Sequence, residues 1–160
     1  MDALKSKLTR RLAEAFAAAD LDPSLGEVVV SARPDLGHFQ CNGALPAAKA
    51  AKANPRELAQ RVVERLGAAK EFREVFREVS LAGPGFINLT LTDPFLASHA
   101  QAMAEDGRLG CAPVASPLRI VLDYGGPNIA KPMHVGHLRA AIIGESLKRL
   151  FRVAGHDVDG

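Results

Sequence analysis

Tryptophan is absent from this sequence of 160 residues, tyrosine occurs once and phenylalanine seven times. A core built from such a chain must be packed from leucine, valine, isoleucine and alanine, helped by a few phenylalanine rings. Cysteine is scarce as well. Cys41 and Cys111 lie far apart with no C-x-x-C spacing, which excludes a disulfide framework and the usual zinc signatures. Free thiols in a reducing compartment are expected. No apolar run reaches signal-peptide or membrane-span length, and the start Met1-Asp2-Ala3-Leu4-Lys5 is already charged. A cytoplasmic address without membrane contact is therefore expected. Large net charge is missing too: at +2, overall electrostatics make no case for a nucleic-acid partner, and any phosphate-binding cluster must be local.

What is present is the profile of a soluble globular protein, with 48% apolar and 24% charged residues. The length suits one domain, or one domain and part of another. Leu4, Leu8, Leu12 and Phe16, widened by Ala15 and Ala19, form the apolar stripe of an amphipathic helix that Asp22-Pro23 ends. Val28-Val29-Val30 predicts a strand within residues 27–32, and residues 33–37 a turn. An alanine-rich helix over 42–53 follows. Asn54-Pro55-Arg56-Glu57 then marks a new helix start, with an N-cap, proline at the first position and Glu three residues on. Leu58, Val62, Val63 and Leu66 are its buried stripe, and Gly67 its stop. Residues 75–81 and 86–91 read as strands joined by Ala82-Gly83-Pro84-Gly85, and Asp93-Pro94 opens a helix to about Glu105. Residues 107–117 carry little periodicity and are the linker candidate.

Beyond that stretch, Leu118 to Leu122 is a nearly continuous apolar run, as expected of a strand covered on both faces. A long helix follows, with Leu138, Ile142, Leu147, Leu150 and Phe151 as apolar positions and Gly155 at its end. Between strand and helix lies Asp123-Tyr124-Gly125-Gly126-Pro127-Asn128-Ile129-Ala130-Lys131-Pro132-Met133-His134-Val135-Gly136-His137. A helix start offers unpaired N–H groups and partial positive charge, which suit a phosphate. His134 and His137, three apart, fall on one face. Gly136 lets a flat ring approach the backbone, and Lys131 adds a cation. Such parts suit charge developing on a nucleotide phosphate during displacement. A lone histidine at a helix start is as readily structural, but the H-x-G-H spacing after a buried strand and a Pro/Gly turn favours a functional site. No third ligand sits at a familiar zinc spacing, so no metal is expected.

The H-x-G-H segment resembles the HIGH motif of class I aminoacyl-tRNA synthetases. Pro127 to Arg139 is similar to the arginyl-tRNA synthetase version in particular, and Gly83-Pro84-Gly85-Phe86-Ile87-Asn88 and Phe39-Gln40-Cys41-Asn42 agree with that family. The resemblance implies ATP-dependent activation of L-arginine to an adenylate and transfer to tRNA(Arg). ATP, with Mg2+, would be a substrate, and no permanent cofactor is implied. It also implies roles: His134 and His137 catalytic at the α-phosphate; Lys131, His134, Gly136 and His137 on ATP; Asp123, Gly126, Asn128 and His137 on arginine. Pro127, Ile129, Ala130, Pro132, Met133 and Val135 complete the HIGH region. Where the family has serines, this sequence has Gly125-Gly126, so Gly126 is carried over as a backbone contact only.

The family's N-terminal domain contacts the tRNA elbow, and Phe39, Gln40 and Asn42 match its reading loop. An aromatic platform with amides is the usual way to read unpaired bases. On chemistry alone, Phe39 as a core residue and Gln40 and Asn42 as helix caps is an equal reading. His38 stands where the family more often has an acid. Lys49, Lys52, Arg56 and Arg61 are either phosphate contacts or a solvated face, and Lys148, Arg149 and Arg152 are expected to be such a face.

The fold class expected is α/β: an α+β tRNA-recognition domain over 1–106, a linker over 107–117, and over 118–160 the first strand–turn–helix of a Rossmann-like catalytic domain. Because one third of one βαβ half and no lysine-rich second signature are visible, a fragment inactive by itself is expected. A monomeric parent is expected, with a fragment that folds back or self-associates through its open apolar surface. Two rivals remain: a stand-alone RNA-binding module, and a small H-x-G-H nucleotidylyltransferase.

Overall fold

The computed structural model describes residues 3–126 and 130–160, and the chain divides into two compact units, 2–105 and 106–160.

The first unit begins with α1 (Leu4–Ala18). Its four-residue apolar spacing buries Leu8, Leu12 and Phe16 completely, each contributing about 1.5–3 kcal/mol on transfer from water. A 3-10 turn (Pro23–Gly26) follows, started by the Asp22 carboxylate, which accepts from the Ser24 N–H at 2.9 Å. Next come β1 (Val28–Val30), β2 (Phe39–Cys41) and α2 (Ala44–Ala51). As the sequence predicts, α3 (Pro55–Gly67) starts where Asn54 Oδ1 accepts from the Arg56 N–H at 2.9 Å, and it buries Leu58, Ala59, Val62 and Leu66. It continues through Gly67 to a cap at Ala68.

A short α4 (Phe72–Val75) takes the residue expected to begin a strand. Thereafter β3 (Phe76–Ala82), β4 (Phe86–Leu91) and α5 (Asp93–Glu105) complete the unit. The four strands form one antiparallel sheet ordered β1-β2-β4-β3. Its core-side residues Val28, Cys41, Ile87, Leu89 and Leu91 meet the stripes of α1 and α3 in one cluster. The β3–β4 turn abuts the start of α3: a Cβ on Gly85 would lie 2.9 Å from Pro55 O, so the glycine there permits a close backbone approach.

The second unit is a βαβ arrangement. β5 (Arg119–Val121) and β6 (Asp157–Asp159) are parallel, with Ile120 opposite Val158, and α6 (Val135–Ala154) connects them. The stretch before β5 is anchored to this unit: the Val114 N–H donates to Ala154 O at 2.8 Å and the Leu118 N–H to His156 Nδ1 at 3.1 Å. Gly155 ends α6 in the left-handed conformation, φ 96°. The expected cover on both faces of β5 is not found. Leu118 is 61% and Val121 73% exposed, because two strands and one helix shield at most one side. The free face of α6 is apolar as well, with Leu138, Ile142, Ile143 and Leu150 at least half exposed. Among the described residues no helix is long and apolar enough to cross a membrane. Both cysteines are free thiols, Cys41 buried and Cys111 exposed.

Candidate active site

His134 is the N-cap of α6, outside the helix proper, with extended backbone at φ −136° and ψ 175°. Its Nδ1 accepts from the Gly136 N–H at 3.1 Å, while the His134 N–H donates to Nδ1 of His137 at 3.2 Å. This is the reciprocal geometry of a capping box, made from two imidazoles where Ser or Thr and Glu are usual. The rings face each other with centroids 4.1 Å apart at 53°. A neutral imidazole that accepts at Nδ1 carries its proton at Nε2. Both rings therefore offer Nε2–H donors, beside a helix start whose dipole already favours an anion.

Gly136 has a packing reason to be glycine: a Cβ there would lie 2.9 Å from Cε1 of His134, so a side chain would push the ring off its cap. Lys131, Asp123 and Gly126 are exposed on the connection between β5 and α6, as are Ala130, Pro132 and Met133, and Val135 is exposed at the first position of α6. Pro127, Asn128 and Ile129 lie outside the described residues. The structure thus brings His134, Gly136 and His137 together, and leaves the sequence-based roles of the others resting on their position in the chain.

Sequence reasoning missed the support beneath this connection. The ring of Tyr124 lies against α6 at Gly144, the one buried residue of that helix; a Cβ on Gly144 would come within 2.1 Å of Tyr124 Cγ. The Tyr124 hydroxyl donates to Glu145 Oε2 at 2.6 Å, and Lys148 Nζ donates to the hydroxyl at 3.4 Å and to the Gly160 carbonyl. Arg149 binds Glu145 Oε1 at 2.8 Å. Hydrogen bonds from Tyr124 and then Arg149 hold the Glu145 carboxyl down to about 2. The signal was available: a glycine inside a helix costs about 1 kcal/mol against alanine and so marks a packing constraint.

In the first unit the RNA-reading residues divide. Phe39 is half-buried and packs against the core cluster. Gln40, its neighbour on β2, points to the opposite face, in register with Val29 and Asn88. Asn42 is exposed, does not cap α2 with its side chain, and with Ser24, Glu27, Val29 and Leu45 lines a cleft of about 370 Å3. His38 has a clear partner in place of the family's acid: its Nδ1 accepts from the Leu91 N–H at 3.1 Å. The basic residues mostly hold backbone. Arg61 reaches the Ala19 carbonyl at 2.6 Å, Arg56 that of Gly83 at 3.4 Å, and Arg152 that of Val158 at 2.7 Å.

Residues 2–91 match the family described as "Arginyl tRNA synthetase N terminal domain", and residues 100–159 that described as "tRNA synthetases class I (R), catalytic domain". An arginine–tRNA ligase of Alkaliphilus oremlandii is 49% identical over all of this chain, and one of Maricaulis maris 45% identical over 99% of it. The chain spans 27% and 26% of those relatives, about a quarter of their length. Among solved structures, it superposes on arginyl-tRNA synthetase from Plasmodium falciparum with a TM-score of 0.63 at 22% identity, covering 99% of this chain and 30% of that one. The Thermus thermophilus synthetase gives 0.56 at 22% identity, covering 98% and 24%. These two likenesses bear on the fold.

Proposed function

Since the chain belongs to the arginyl-tRNA synthetase family, we propose that the protein carrying it is an arginine–tRNA ligase, activating L-arginine with ATP and transferring it to tRNA(Arg). Residues 118–160 then supply the first part of the catalytic site, residues 107–117 the joint before it, and residues 1–106 the tRNA-recognition domain. Matches over the whole chain support this reading over the small nucleotidylyltransferase and the stand-alone RNA module.

The observation that carries the reading is the imidazole capping box. In the first step a carboxylate oxygen of arginine attacks the α-phosphorus of ATP, the bond to the bridging oxygen breaks, and pyrophosphate leaves. Negative charge grows on the non-bridging oxygens. Nε2–H donors of His134 and His137, fixed by their own backbone caps, meet that charge without reorganising, and this is where positioned donors contribute most. Lys131 adds charge on the triphosphate, which arrives with Mg2+. Gly136 leaves room for the adenine, and Asp123 attracts the cationic substrate, with Gly126 and Asn128 as further arginine contacts.

In the tRNA-recognition domain, Gln40 and Asn42 read a base edge at the cleft beside Val29, while Phe39 supports them from the core side and stacks only through its exposed part. The enzyme works in the cytoplasm as a monomer. The test is His137→Ala in the full-length protein. Removing one positioned donor should lower arginyl-adenylate formation by roughly 10²–10³-fold with tRNA affinity unchanged. Activity within threefold of the parent would remove His137 from the chemistry.

A further inference from the structure

We propose that Tyr124 is a positioning residue for the arginine side of the site: seated in the notch at Gly144 and tied through its hydroxyl to Glu145, it clamps the strand exit Asp123–Gly126 to the helix carrying His134 and His137. This rests on the reading just given for the site, and assigns a part to residues that the reading leaves unused.

Three observations converge. First, the notch is made for the ring. Gly144 is the buried position of a twenty-residue helix, and a methyl group there would overlap Tyr124 Cγ and Cδ2 at 2.1 and 2.4 Å. Second, the hydroxyl sits at a junction of charges, 2.6 Å from Glu145 Oε2 and 3.4 Å from Lys148 Nζ, with Lys148 also on the Gly160 carbonyl and Arg149 holding the other Glu145 oxygen. A phenol between a carboxylate and an ammonium has one favourable orientation. Third, Tyr124 is bonded directly to Asp123 on one side and Gly125 on the other, so its ring fixes the main chain of both neighbours. Gly125 turns at φ 75°, and a Cβ added there would come within 3.8 Å of Ala141 of the helix, so the connection runs close to α6 beyond the ring as well.

Without the clamp the strand exit runs into two adjacent glycines with little to order it, and a ligand whose contacts are in place only part of the time binds more weakly by that fraction. The cost should fall on arginine, since two of its proposed contacts, Asp123 and Gly126, lie on the clamped segment. ATP contacts on the capped helix start should be spared.

The experiment uses the full-length protein and steady-state aminoacylation with arginine and ATP varied separately. Tyr124→Phe keeps the ring and removes the hydroxyl; KM for arginine should rise about tenfold, with KM for ATP within twofold and kcat little changed. Glu145→Ala should reproduce this, Glu145→Gln, which keeps an acceptor, should stay near the parent, and the double variant Tyr124→Phe/Glu145→Ala should be no worse than either single one. Gly144→Ala should be more severe, but it risks misfolding, so the hydroxyl variant decides. Equal losses for every substrate together with a lowered melting temperature, or additive effects in the double variant, would overturn the clamp. His137→Ala measured in parallel separates the levels: if it too is silent, the site reading falls and the clamp with it; if it is inactive while Tyr124→Phe is silent, the clamp alone falls.

Discussion

Replacing His134 by asparagine separates two tasks that the imidazole performs at once. In the structure Nδ1 caps α6 by accepting from Gly136 at 3.1 Å, and Nε2–H is left for the phosphate. Asparagine is among the strongest N-caps, and its side-chain oxygen takes over the first task, so the helix start should be as stable as in the parent. Alanine takes over neither, and loss of a cap costs about 1 kcal/mol, within a range of 0.5–2. Local opening at that cost speeds amide exchange roughly fivefold, since about 1.4 kcal/mol corresponds to tenfold in an equilibrium. Hydrogen exchange at the start of α6 in the full-length protein should therefore rank the parent and His134→Asn together, with His134→Ala faster. Adenylate formation should group differently: the asparagine amide stops short of the place held by Nε2–H and alanine has no donor, so both variants should lose about 10²–10³-fold. An asparagine variant exchanging as fast as alanine would refute the capping role. One retaining activity within threefold would refute the phosphate role.

Three further outcomes follow from the same geometry. Glu145 has its carboxyl at about 2 in the folded chain against an ordinary value of 4.5, so its contribution is complete above 4.5 and is lost as pH falls toward 2; helix content of α6 followed over that window should decline less steeply in Glu145→Gln. Asn54→Ala removes the cap on α3 and should destabilise the N-terminal unit by about 1 kcal/mol in urea unfolding, whereas Leu12→Ala in the buried stripe should cost about 2–5 kcal/mol. Gln40→Ala and Asn42→Ala should each raise KM for tRNA about three- to tenfold with KM for arginine and ATP unchanged, and an equal rise for all three substrates would move these residues out of the RNA interface.

The helices were legible because their physics is local. Leu4, Leu8, Leu12 and Phe16 announce α1 by spacing alone, and Asn54-Pro55 announces α3 by cap chemistry. The Gly83–Asn88 hairpin was readable for the same reason. What escaped was set by distant partners. The 3-10 turn at Pro23–Gly26 forms against α1, where a Cβ on Gly26 would meet Ala13 N at 2.4 Å, and α4 takes Val75 out of the strand. At the candidate site, the histidine pair stood out through its spacing, yet its mutual capping did not, because imidazoles are uncommon in that role. Tyr124 was passed over because its partners, Gly144, Glu145 and Lys148, lie twenty or more residues downstream. The side of β2 to which Phe39 points depends on registers with β1 and β4 that no short window contains.

The order β1-β2-β4-β3 also sets a schedule for synthesis. β2 reaches its second neighbour only when β4, beginning at Phe86, has been made, so its outer edge stays without hydrogen-bond partners while the intervening helices emerge. At roughly 5–20 residues per second that interval lasts on the order of several seconds. During it the nascent hairpin of β1 and β2 is a template for stray strands, and Arg33 with Asp35, joined at 2.6 Å in the turn between them, places a charged knot at the tip that discourages such pairing.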